Sequence, residues 1–579
     1  MYENLKTCSD GWCSIAGMMR TLRVLVSGVV ASALPLVLLA TPASAAADVH
    51  VIPSDPLVSD DAKAVVETYR AVVPSVRKKK LDDPTANYGC GAAAADPVPD
   101  GEPIVVSLPP GPNFTVGSIP ASSWRNPPET DATWKMNYLG LMWIKGLARR
   151  AAIDDQQQSL QALVDQAVKY YQQNPDPGTA VDGWDEGTAL RRLESMNCLY
   201  ALTQAEVLRP GMTSDANVLL SARYYGPPNF PVHNHGLMAN LQLVRASALL
   251  GVANWKNTAI RRLTDEAPQV FSSLGVSWEQ SSSYQNVNAL GWKLAADVLR
   301  ESGETGAADN IMVTVAKAKT AWEWMTEPDG KIVQIGDSDE EPGAASTLTT
   351  PRNFRDDQTG WAIGRWSWTD PQAAYYSIRY GPARRAHGQH DRAGGVTYSV
   401  KGVRVLVNPG RFSNDRTENY NLYGLSPQSH NVALPDDPEV TNNGGSITGA
   451  TITGPAHAYA VSDTMFGIAH TRDININRDT ATMRVTDNFP AKDLWRQYWH
   501  LDPAWTVVSA PLNGTQLVFS HPSGRRLTIT TTGRTSSIVQ GITRPPAGWH
   551  FPEFGVRVWN NEIVLRSYGR ASVTTFTVS

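Results

Sequence analysis

Between about Thr133 and Met325, apolar residues recur three and four positions apart. Tyr138, Leu141, Met142, Ile144 and Leu147 form one stripe, and Ala189, Leu190, Leu193, Met196 and Tyr200 another. Leu237, Leu241, Leu243, Val244 and Leu249 repeat the pattern, as do Ala289, Leu290, Leu294, Val298 and Leu299. This spacing puts apolar side chains on one face of a helix. Clusters of Gly, Pro and Asn cut the stretch into many segments. Serial helices of this kind bury their stripes against one another as an α/α array or toroid. The period changes after Pro328-Asp329-Gly330. Segments 374–378, 403–407, 450–453, 527–530 and 573–578 carry the alternation of β-branched residues expected of strands, with turn residues at short intervals. That half reads as an antiparallel β-sandwich. Residues 337–357 are acidic, small and Pro-containing, which fits a linker. The expected organisation is therefore multidomain α + β, with a toroid over 46–335, a linker over 336–359 and a β-sandwich over 360–579.

The N-terminus departs from both patterns. Arg20 and Arg23 precede an apolar run from Val24 to Ala40, and Thr41-Pro42-Ala43-Ser44-Ala45 supplies small residues for cleavage. Residues 1–45 thus read as an export signal, with Met18 or Met19 as an alternative start. Ser27, Ser32 and Pro35 interrupt the run, which argues against a membrane anchor. The expected product is secreted and free of the membrane after cleavage. Cys90 and Cys198 would remain in it, either as one disulfide or as two buried thiols. A hydrophobic content of 42% and a charged content of 18% are those of a globular chain, and a net charge of −4 argues against a nucleic-acid partner. A near-neutral total still allows a local basic cleft for an anionic polymer.

Three clusters carry chemistry. Asn234 and His235 stand just before the apolar run that opens at Leu237, hence at a helix N-terminus, where free N–H groups and the dipole favour an anion such as a carboxylate. An Asn there also caps its helix. Tyr284 follows the polar stretch Glu279-Gln280-Ser281-Ser282-Ser283 at the mouth of the next helix. A phenol titrates near 10, so a role as base requires a neighbouring imidazolium or Arg. His387 and His390 lie on a loop with Arg384, Arg385 and Arg392, a basic spot suited to an acidic sugar. Gln280, Trp184 and Trp278 are further candidates for sugar contact. An amide, imidazoles and a phenol without paired acids suit removal of a carbon-bound proton beside a carboxylate better than hydrolysis. Two other readings stay open. An inverting glycoside hydrolase needs two carboxyls about 6.5–9.5 Å apart, and Asp185 and Glu186 are the candidates. A catalytically inert protein that binds acidic polysaccharide is the other.

The ordered set of Asn234-His235-Gly236, Trp278-Glu279-Gln280-Ser281-Ser282-Ser283-Tyr284, His387-Gly388 with Asp391, Asn408-Pro409-Gly410 and Ser429-His430-Asn431 resembles the heparinase II/III-like polysaccharide lyases. The resemblance runs from about Thr133 to the C-terminus. It implies an incomplete (α/α) toroid, a C-terminal antiparallel β-sandwich, and a cleft between them. It also implies β-elimination on a uronic-acid-containing polysaccharide, which leaves a C4=C5 double bond. On that resemblance Asn234 and His235 face the uronate carboxylate, Tyr284 moves the proton, and His387 is the strand-loop histidine. A second tyrosine corresponds to Tyr420 or Tyr423. The family often holds a structural zinc, but its ligand positions here read Gln389, Asn408 and His430. Amides are poor zinc ligands, so no cofactor is expected and a hydrogen-bonded Gln/Asn/His cluster takes the place of the metal. His390 is the one neighbouring alternative ligand.

Overall fold

Every helix between residues 132 and 324 turns an apolar stripe toward its neighbours, and several are started by side-chain caps. In the computed structural model the helices are α1 (Ala132–Leu139), α2 (Trp143–Ile153), α3 (Gln157–Gln173), α4 (Glu186–Thr203), α5 (Arg209–Leu220), α6 (Asn234–Leu250), α7 (Ala253–Val270), α8 (Ser282–Glu301) and α9 (Thr305–Trp324). The structure describes residues 89–579 apart from 99, 110, 226–233, 351, 414 and 416. The expected signal segment over 1–45 lies outside the described residues. Asp131 accepts from Trp134 N–H at 2.7 Å and Asp185 from Thr188 N–H at 2.9 Å, each satisfying an otherwise orphaned donor of a first turn. Asp185 is thus engaged as a helix cap, and Glu186 pairs with His235, so the structure does not free these two acids for hydrolysis.

The helices alternate in direction. Arg209, the first residue of α5 and joined to the end of α4 by a short connection, donates to the carbonyl of Leu250 at the end of α6 (2.9 Å), and Lys256 at the start of α7 donates to the carbonyl of Ser302, just beyond α8 (3.0 Å). The C-termini of α4, α6 and α8 therefore share one end of the helical layer, and their N-termini share the other. Cys90 and Cys198 are disulfide-bonded, which fastens the segment before α1 to α4.

The C-terminal half is antiparallel throughout its named sheets. Strands β1 (Asn353–Asp356), β2 (Trp361–Arg365), β3 (Tyr375–Arg379), β4 (Gly395–Val400) and β5 (Val403–Leu406) form a five-stranded meander. An eight-stranded sheet and a four-stranded sheet complete this half. Tyr376 and Tyr398 of the meander, Ile474, Val485 and Phe576 of the eight-stranded sheet, and Trp499 and Ile563 of the four-stranded sheet bury their side chains in one core, as the inner faces of a β-sandwich do.

A third core joins the two halves. Val276, Trp324, Val333 and Ile335 from the helical side pack on Trp361, Ile363 and Tyr375 of the meander. This corrects the linker expected over 336–359. Asp337 to Glu341 are built into the junction between the halves, and β1 occupies 353–356. Acidic residues that would be solvated in a free linker here meet Arg404, His387 and the hydroxyls of Ser281 and Ser283.

Candidate active site

The start of α8 and the loop between β3 and β4 meet at this junction. Ser281 caps α8 by accepting from Tyr284 N–H (3.3 Å), which sets the phenol one turn inside the helix mouth. The loop between β3 and β4 lays the ring of His387 on the ring of Tyr284, with centroids 3.4 Å apart and planes 9° from parallel. Gln280 fixes that loop. Its Nε2 donates to the carbonyl of Ala383 (3.0 Å) and its Oε1 accepts from Arg385 N–H (2.8 Å). Two carboxylates flank the imidazole: Asp337 Oδ2 lies 3.0 Å from Nδ1, and Glu279 Oε2 lies 3.8 Å from Nε2. Arg411, itself buried, hydrogen-bonds Tyr284 and lies 3.7 Å from Asp339.

Electrostatics decide the resting state of the phenol. Burial pushes Tyr284 up to about 12, the guanidinium of Arg411 opposes the shift, and the charges of Asp337 and Glu279 add to it. Tyr284 therefore holds its proton at neutral pH, with a cation placed to stabilise the phenolate once that proton leaves.

Asn234 and His235 open α6 at the shared N-terminal end. Asn234 Oδ1 accepts from His235 N–H (3.0 Å), and His235 Nδ1 lies 3.3 Å from Glu186 Oε2 at the mouth of α4. A carboxylate on Nδ1 favours the tautomer whose Nε2 can accept a proton.

Other expected contacts fall away. Trp184 is 1% exposed and packs under Arg192, so it offers no face to a sugar. Arg392 is fully buried and donates to the carbonyl of Pro382 (2.9 Å). Gln280 is buried in its loop-fastening bonds. Arg384 turns back on its own loop, donating to the carbonyls of Gly388 (2.5 Å) and Ala386 (3.2 Å). Tyr423 donates to Glu562 (2.9 Å) inside an aromatic cluster, away from solvent. Tyr420 is half-buried, beside Phe412 (5.2 Å) and under Arg557 (4.2 Å). Arg385 is exposed and stacks on half-buried Trp278 (4.6 Å), a cationic, flat-faced surface two residues from His387.

The family's zinc positions do not make a metal site. His430 Nδ1 meets Asn408 Oδ1 at 3.3 Å, and burial pushes His430 down to about 3. Gln389 does not join that pair, contrary to the expected three-residue cluster. Its amide donates instead to Asp337 (3.3 Å) and to the carbonyl of Gly410 (3.1 Å). Among the described residues no three His, Cys, Asp or Glu side chains are grouped to hold a metal ion.

Residues 350–579 match the family model of the heparinase II/III-like C-terminal domain. This part of the chain is similar to that domain. The whole chain is similar in fold to a heparan sulfate lyase mutant from Pedobacter heparinus, at 16% identity and a TM-score of 0.64, over 90% of this chain and 88% of that one. It is similar also to heparinase III, at 12% identity and a TM-score of 0.67, over 92% and 94%. No curated protein matches the chain by sequence. The C-terminal half contributes His387, Gln389 and Arg411 to the cluster around Tyr284, and the helical half contributes Glu279 and Tyr284 itself. Asn234 and His235 form a separate contact with Glu186 at the mouths of α6 and α4. The sequence did not point to Asp337, Glu279 or Arg411 as site residues. Arg411 directly follows the Asn408-Pro409-Gly410 turn, which was the available signal. Asp337 was hidden by the linker-like composition around it.

Proposed function

We propose that this chain is a polysaccharide lyase that cleaves a uronic-acid-containing polymer by β-elimination. The observation that carries the reading is the Tyr284–His387 stack beside buried Arg411, at the junction of a toroid and a heparinase II/III-like domain. The C5 proton of a uronate is a weak acid because the adjacent carboxylate is already charged. Its removal places further negative charge on that carboxylate. The N-terminus of α6 with Asn234 suits stabilisation of that charge, where losing one donor costs about 2.7–4 kcal/mol. His235, with Glu186 on Nδ1, takes the C5 proton through Nε2. Tyr284 arrives protonated and gives its proton to the departing O4, while Arg411 stabilises the phenolate left behind. The products are a C4=C5 unsaturated uronate and a new reducing end.

The Arg385–Trp278 surface supports an acidic polysaccharide as partner, since a stacked guanidinium keeps its edge for a carboxylate or sulfate. The export signal expected over residues 1–45 and the Cys90–Cys198 bridge support a secreted enzyme, because disulfides persist in oxidising compartments. The test is a panel of uronate polysaccharides followed by ultraviolet absorbance of the new double bond. Tyr284→Phe is expected to fold normally and to lower the rate by about two to four decades. Retained turnover in that variant removes Tyr284 from the mechanism. Binding of the polymers without any absorbance change supports the inert binding protein instead.

A further inference from the structure

Asp337 connects the His387 loop to the start of α8. Its backbone N–H donates to the carbonyl of His387 (2.8 Å), and its Oδ2 meets His387 Nδ1 (3.0 Å). Its Oδ1 accepts from Gln389 Nε2 (3.3 Å), and its own carbonyl accepts from Ser281 Oγ (2.8 Å). Ser281 Oγ in turn accepts from Tyr284 N–H. The approach is close enough to require glycine beside it: a Cβ on Gly336, at φ +66°, would lie 2.5 Å from the carbonyl of Gln280 and 2.6 Å from that of His387. A second route returns to the phenol. Gln389 also donates to Gly410, whose neighbour Arg411 bonds Tyr284.

We infer, resting on the lyase reading above, that Asp337 is a positioning residue that locks the imidazole of His387 in register with Tyr284. The bond to Nδ1 does two things. It fixes Nδ1 as the protonated nitrogen, and it prevents rotation about the bond that would break the stack. Glu279 lies 3.8 Å from Nε2, so Asp337 supplies the short contact and Glu279 the longer one. A structural bolt alone would contribute to stability and leave the chemistry unmoved. A positioning residue acts on turnover with substrate affinity intact.

Asp337→Asn is nearly isosteric and separates these outcomes. Its kcat is expected to fall on the order of 100-fold, the scale of a small misplacement of a reacting group. KM should stay within about twofold, as for an interaction felt only in the transition state. The melting temperature should be kept. Protein labelled with ¹⁵N-histidine should show His387 protonated at Nδ1 in the wild type and lose that preference in the variant. An unchanged kcat, a rise in KM alone, or an unchanged His387 signal overturns the proposal. If the wild type yields no unsaturated product, the lyase reading fails by itself, and the His387 signal still decides what Asp337 does. Should Asp337→Asn fail to fold, Gln389→Met removes only the donor to Oδ1 and Gly410. It is expected to lower kcat about tenfold with KM kept, and wild-type turnover with a wild-type His387 signal overturns the proposal equally.

Discussion

Burial acts on Tyr284 and Glu266 in the same direction and with different consequences. Each is pushed toward its neutral form because desolvation disfavours charge. Tyr284 has Arg411 to receive the charge that its reaction creates. Glu266, fully buried in α7, has no hydrogen-bond partner on either carboxyl oxygen among the described residues, and burial pushes it up to about 8. Its folded value lies above its ordinary value of 4.5, so the stability of its neutral form is complete below that pH. It is then lost as pH rises through about 8. Glu266→Gln cannot ionise and should flatten this part of the stability profile. Urea unfolding at intervals from acid to mildly alkaline pH measures it. An unchanged slope in the variant excludes Glu266 as its source.

At the scale of elements, a buried charge cluster fastens the eight-stranded sheet to its neighbours. His470 lies between Asp463 (2.7 Å) and Asp487 (2.9 Å), on the strands His470–Asn477, Ala456–Asp463 and Thr482–Asn488. Arg472 pairs with Asp487 (2.6 Å) and donates to the carbonyls of Gly394 and Asn431 outside that sheet. Burial opposes a charged His470, but the hydrogen bonds and charges of both aspartates outweigh it and push the imidazole up to about 8. The stability this lends is complete below the ordinary histidine value of 6.5 and is lost as pH rises through about 8. His470→Gln should therefore lower the melting temperature most at pH 6 and least above pH 9. A deficit equal at both ends would mean that packing against Phe489, and not charge, is what His470 supplies.

Over the whole molecule, the site depends on the two halves staying in register. Besides their shared apolar core, a charge network crosses the junction. Arg404 of β5 pairs with Glu327 (2.7 Å) and Glu340 (2.8 Å), and His550 lies 3.4 Å from Glu340. Removing one member leaves buried charges uncompensated, which costs about 3–5 kcal/mol in well-buried pairs. Arg404→Met should lower stability on that scale. It should also depress turnover more than a substitution of equal thermal cost far from the junction, because His387 and Tyr284 come from opposite halves. Calorimetry together with product absorbance checks both, and a loss of stability with full turnover separates the junction from the chemistry.

The order of elements was legible in the sequence because helix and strand have different periods, and burial enforces the period residue by residue. The helix-mouth placement of Asn234, His235 and Tyr284 was legible for the same reason, since a polar cluster before an apolar stripe marks a helix start. What the sequence could not give was partnership across the junction. Composition made residues 336–359 look solvated, because an acidic residue reads the same in water as beside a buried guanidinium. Trp184 and Arg392 likewise carry sugar-binding side chains that the fold buries, while Arg385 and Trp278 carry the same chemistry and stay accessible. Local propensity and periodicity fixed the elements. Only their packing brought Asp337, His387 and Arg411 to Tyr284, because contacts between residues about 50 to 130 positions apart are set by how surfaces fit and not by any short run of sequence.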